Sequence, residues 1–191
     1  MKHIAHMKQI ATVALMLNLG VAGVYAQQRP VNMRFSGTAA PSTINLQQPG
    51  TSTVEENVAG NGTLGPFTFR NVSAASGSPQ PSSTCSGPTK LYFPTVAGGG
   101  VFRFQNGSLL TVSITEGALC IDFAAGVAHH TVTYKITGGT GRFNGASGAL
   151  KLTATFLPVV FSGPNVVLAA DTGTFEGTVL GVKEEGQDER R

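Results

Sequence analysis

The sequence predicts a single all-β domain, an antiparallel closed barrel of about eight to ten strands with long N-terminal loops. Three observations predict it. Short apolar runs alternate with polar residues at a period of two, turn signals such as Gly98-Gly99-Gly100, Asn106-Gly107 and Ser162-Gly163-Pro164-Asn165 separate them, and the separators are too short to hold crossover helices. At 191 residues the chain is the size of one domain, and 41% hydrophobic residues with only 12% charged ones describe a chain that can bury a core.

Residues 1 to 26 open with Lys2 and Lys8, run apolar from Ile10 to Leu17, and end Val24-Tyr25-Ala26, the pattern of a cleaved signal peptide. A retained anchor fits less well, because the apolar run is short and is broken beyond Leu17 by Asn18, Gly20 and Gly23. Cleavage leaves a barrel domain over 27–182 and a charged tail over 183–191. The mature protein is then expected outside the cytoplasm, periplasmic or extracellular, with no membrane insertion. It retains 11 basic against 10 acidic side chains, a net charge of +1 in place of +3, too little to neutralise a phosphate backbone, so nucleic acid is not an expected partner. In an oxidising compartment Cys85 and Cys120 are expected to form a disulfide, the alternative being two free thiols; neither has the Cys-x-x-Cys spacing of a redox motif.

The strands come in order. Val31, Met33 and Phe35 alternate with polar residues and define the first. The stretch from Pro41 to Gly62, rich in Pro, Gly, Ser, Thr and Asn and carrying Glu55-Glu56, reads as loops with one or two weak edge strands. Thr63 to Val72 places Phe67 and Phe69 on one face, and Ser76 to Pro88 reads as a loop that Cys85 would pin to the domain. Further strands are expected at Leu91–Phe93, Val101–Gln105, Leu109–Thr115, Leu119–Ala124, Ala128–Thr137, Leu150–Phe161, Val166–Ala169 and Gly173–Val182. Such a meander either stacks as two sheets or closes into a barrel, and alternation is common to both; closure is favoured because it removes the exposed edges.

The pattern Phe-x-Gly recurs at Phe35-Ser36-Gly37, Phe143-Asn144-Gly145 and Phe175-Glu176-Gly177, and reads as an inward ring beside a glycine that allows a tight bend. The run Gly138-Gly139-Thr140-Gly141-Arg142-Phe143 lacks the Lys-Ser/Thr and the succeeding helix of a phosphate loop. It resembles the Gly-Gly-Thr-Gly-x-Phe signature of dirigent proteins and allene oxide cyclase-like barrels, and is similar to a stretch in uncharacterised exported bacterial proteins. The resemblance spans about a dozen residues closely and the last third of the chain loosely. It implies a calycin-like, eight-stranded antiparallel barrel whose lumen holds a small apolar ligand, often in a trimer.

Chemistry-bearing residues are few. In the strand Ala128–Thr137 the face carrying His130, Val132, Tyr134 and Ile136 is the apolar one, so His130 and Tyr134 are expected in the lumen, either as an acid/base pair or as a hydrogen-bonded core His beside a Tyr reaching the rim. Phe102 and Phe104 are expected to line the ligand site with them, and Arg103 is a third candidate for polarising a ligand. Asp122 shares the face of Cys120 and is expected in solvent; inside the lumen it would need Arg103 or His130 as a partner. The remaining carboxylates outside the tail, Glu55, Glu56, Glu116, Asp171 and Glu176, are expected mostly at turns. His129 and His130 face opposite ways and cannot clamp one metal, so no metal site and no cofactor are expected. Sequons occur at Asn61, Asn71 and Asn106.

Three functions are compatible with these residues. The first is an exported barrel that binds a small lipophilic molecule without chemistry. The second is a cofactor-free isomerase, cyclase or coupling guide of the kind the resemblance implies. The third is a structural or surface-interaction module whose lumen is filled by side chains.

Overall fold

The computed structural model describes residues 28–46, 48–81, 85 and 91–183. The signal segment and nearly all of the charged tail lie outside the described residues. Nine strands form in chain order: β1 (Gln28–Pro41), β2 (Thr51–Gly62), β3 (Phe67–Ser76), β4 (Gln80–Pro81), β5 (Leu91–Phe104), β6 (Leu109–Asp122), β7 (Val127–Gly139), β8 (Ser147–Ser162) and β9 (Asn165–Leu180). The sheet runs β3-β2-β1-β9-β8-β7-β6-β5, and β5 pairs back with β3, closing a barrel of eight antiparallel strands. The two-residue β4 adds to the start of β5. Closure leaves the eight long strands without a free edge, as the alternating pattern requires of a sheet with one buried face.

Several expected boundaries give way. The polar stretch before Gly62 is no edge strand: β2 pairs along its length with β1 on one side and β3 on the other. Gly98-Gly99-Gly100 is no turn either, because β5 runs straight through it. A side chain at Gly100 would strike the Phe69 ring at 2.5 Å and the Arg70 carbonyl at 2.7 Å, so Gly100 lets the strand lie flat on a packed ring. Glu116-Gly117 sits inside β6, where the register against β7 slips by a bulge between Ile114 and Glu116. Val166–Ala169 and Gly173–Val182 join into β9, which continues across Asp171.

The two ends of the barrel differ. At one end aromatic rings fill the lumen. Phe69 stacks on Phe102 with centroids 4.2 Å apart, and Phe175 meets both edge-on at 5.0 and 4.9 Å. Below them Phe104 packs on Phe143, delivered by the 3-10 turn Gly141–Phe143 that comes after β7. This turn is the Gly-rich run, and its role is closure of that end. Gly141 holds a left-handed φ of 58°, Arg142 lies over the rings of Phe104 and Phe143, and its guanidinium donates to the Leu64 carbonyl.

At the other end lie the β6–β7 and β8–β9 hairpins and the Cys85–Cys120 disulfide, with Cα atoms 5.5 Å apart. Cys120 alternates with Leu119 and Ile121, which turn inward, so the bond ties the segment around Cys85 to the outside of β6. The tip of the β8–β9 hairpin is apolar on both faces, with Leu157, Val159, Val160 and Phe161 all exposed.

Candidate functional site

Above the aromatic half, six polar side chains face inward at about one level: Glu56 and Asn71 on neighbouring β2 and β3, Ser73, Thr95 on β5, His130 on β7 and Asp171 on β9. All are buried, Glu56 to 2% exposure, His130 to 3% and Asp171 to 0%. The strands position them by parity alone. Glu56 alternates in step with Val54 and Val58, His130 with Val132 and Tyr134, and Asp171 with Ala169 and Phe175, so each shares the inward face of apolar neighbours.

Glu56 has two partners. Asn71 Nδ2 donates to its Oε2 at 3.3 Å, and His130 Nδ1 lies 3.4 Å from its Oε1. The other imidazole nitrogen of His130 is 3.1 Å from the Thr95 hydroxyl. Among the described residues neither Asp171 carboxyl oxygen has a hydrogen-bond partner, and the Tyr134 hydroxyl and Asn71 Oδ1 are likewise unmatched; Glu56 Oε1 and His130 Nδ1 face each other outside hydrogen-bond geometry. Burial, reinforced by the Glu56 carboxylate, pushes the Asp171 carboxyl up to about 8, so it holds its proton at neutral pH. Burial together with Glu56 and Asp171 raises the Tyr134 hydroxyl well above its ordinary value, and it stays neutral.

Over this layer the barrel opens into a cavity of about 420 Å³ at the hairpin end. Its walls are almost wholly apolar, from Val54, Leu119, Ile121, Phe123, Phe156 and Phe161 among others. The cavity and the polar layer are adjacent: Val54, Ala128 and Ala169 line the cavity, and two residues along each strand on the same face come Glu56, His130 and Asp171. Phe156 lines the cavity, pairs in register with Asp171 and places its ring 5.5 Å from that of His130. A larger hollow of about 680 Å³ between Glu116, Thr131, Thr133 and Lys151 is on the outer wall and is lined by outward-facing side chains.

His130 and Tyr134 lie inside the barrel on one face, four residues apart, with Tyr134 deeper among the rings of Phe69 and Phe175. Arg103 does not join them. It is exposed between buried Phe102 and Phe104, because the strand alternation that turns both rings inward turns it out. Phe102 and Phe104 pack in the filled half, and neither lines the mouth cavity. Asp122 ends β6 at the cavity rim, where its Oδ1 accepts from the Ala124 and Ala125 backbone N–H groups at 3.0 Å each and fixes the β6–β7 turn. The Asn71 sequon is buried to 1% exposure, which leaves no room for a glycan. Among the described residues no three His, Cys, Asp or Glu side chains converge to hold a metal ion.

The sequence reading misses Glu56, Asn71 and Asp171. The signal that finds them is parity: Val54-x-Glu56-x-Val58 and Asp171-x-Gly173-x-Phe175 continue the inward positions of their strands.

No protein-family model and no curated protein matches the sequence. Among solved structures, the chain is similar to a pterocarpan synthase dirigent protein, with 15% sequence identity and a TM-score of 0.33 over 91% of this chain and 100% of that one. A superposition that loose carries no argument about this chain, whose barrel rests on its own strand pairing.

Proposed function

We propose that the protein is exported and binds one small lipophilic molecule in the mouth of its barrel, apolar body against the walls and polar group toward the floor. The observation that carries this reading is a cavity of about 420 Å³ with apolar walls directly over a buried layer of ionisable groups. Ligand pockets typically span roughly 300–1,000 Å³ and combine apolar walls with a few convergent polar groups. A purely structural barrel has no use for an unpartnered buried carboxyl, which costs stability. Export is supported by the N-terminal pattern and is compatible with the Cys85–Cys120 bond.

Native mass spectrometry of the protein secreted through its own leader and purified without detergent tests this reading. It predicts a co-purifying mass of a few hundred daltons, or uptake of one from a mixture of lipophiles. A bare chain that takes up none contradicts it and favours the filled structural barrel.

Cofactor-free isomerisation or cyclisation is the second reading, favoured by one observation: Asp171 holds a proton at neutral pH beside the neutral Tyr134 hydroxyl. Asp171 would then be the proton donor and the Glu56–His130 pair the acceptor.

A further inference from the structure

We propose that the ligand of the mouth cavity is a lipophilic amine, whose ammonium group docks on Asp171; this rests on the ligand-binding reading above. The polar layer holds two carboxyl groups, and among the described residues no Lys or Arg side chain is buried. Glu56 Oε2 accepts from Asn71, and its Oε1 lies 3.4 Å from His130 Nδ1 without hydrogen-bond geometry. Beyond that pair, three unanswered acceptor oxygens, the two of Asp171 and Asn71 Oδ1, stand against two unanswered protons, those of the neutral Asp171 carboxyl and the Tyr134 hydroxyl.

A head group that completes this layer must donate hydrogen bonds and carry positive charge. An ammonium supplies three N–H donors and one positive charge. A carboxylate would add a third acidic group to a site with no fixed cation, at the full cost of burying it unpaired. A hydroxyl supplies a single donor. Asp171 is fully buried beneath the cavity floor and does not itself line the cavity; Ala169, two residues before it on the same face, and Phe156, its partner in register, do, so the ammonium reaches it by passing between these two side chains. On binding, the ammonium enters protonated and the Asp171 carboxyl releases its proton to solvent, so an ion pair replaces a neutral acid and nothing else changes. The apolar walls then exclude water from the pair and strengthen it.

The test is titration calorimetry of the mature protein at pH 7 with octylamine, octan-1-ol and sodium octanoate, three probes that differ only in the head group. The proposal expects octylamine to bind about tenfold or more tightly than octanol, the scale of a charge-assisted hydrogen bond, with octanoate weakest. Asp171→Asn is expected to abolish that amine preference while octanol affinity stays within about twofold. Octanoate binding as well as octylamine, or an amine-to-alcohol ratio unchanged in Asp171→Asn, overturns the amine assignment and leaves the ligand-binding reading standing. Uptake of none of the three sinks both.

Discussion

Asp171 is an acid forced to stay neutral, and that makes stability depend on pH. Its carboxyl is raised from the ordinary value of 3.8 to about 8, so between those limits the folded chain binds more protons than the unfolded one. Stability attached to this group is therefore present below about pH 4 and is lost as pH rises toward 8, by up to about 1.4 kcal/mol for each pH unit. Thermal midpoints recorded from pH 5 to pH 8 are expected to fall, and Asp171→Asn, which cannot ionise, is expected to flatten the decline. Parallel curves for the two proteins would show that Asp171 titrates as an ordinary carboxyl. The neighbouring pair Glu55 and Glu56 shows why such residues are hard to read from sequence. They are adjacent in a polar stretch, yet strand alternation sends Glu55 outward to Arg70 at 3.2 Å and Glu56 inward to His130.

At the scale of the strand, glycine misleads most. Gly98-Gly99-Gly100 has the composition of a turn, and the physical reason it is not one lies on another strand: the Phe69 ring, itself clamped by Phe102 and Phe175, occupies the space a side chain at Gly100 would need. Since that ring cannot yield, Gly100→Ala is expected to destabilise by about 1–3 kcal/mol in urea unfolding, the range of overpacked cores. A midpoint equal to that of the unsubstituted protein would mean that the ring moves freely and the aromatic half is loosely packed. Strands whose signal is local were legible, as at Val31-x-Met33-x-Phe35 and along His130 to Ile136, because period-two alternation between a core and solvent is written in the residues themselves. β2 and the junction within β9 were not. Their inward residues include Glu56, Gly173 and Asp171, so the apolar alternation breaks where the barrel carries its polar layer. The site was hidden for the same cause: its groups look like loop residues until the pairing of β2 with β1 and β3 fixes their facing.

For the whole molecule, the barrel divides into a half filled by rings and a half that opens above ionisable groups. The Gly-Gly-Thr-Gly-Arg-Phe run belongs to the first half, where Phe143 plugs the end and Arg142 covers it. The proposed ligand site lies in the second. The most direct test is a fluorescence titration with the neutral lipophilic dye prodan, run on the natural chain and on Ala169→Phe, which places a ring in the cavity one pleat above Asp171. The expected result is saturable, one-to-one uptake with a blue-shifted emission in the natural protein, lost in Ala169→Phe while the far-ultraviolet β signal is retained. Absence of saturable uptake by the natural chain, or equal uptake by both, would contradict the claim that this cavity holds a ligand.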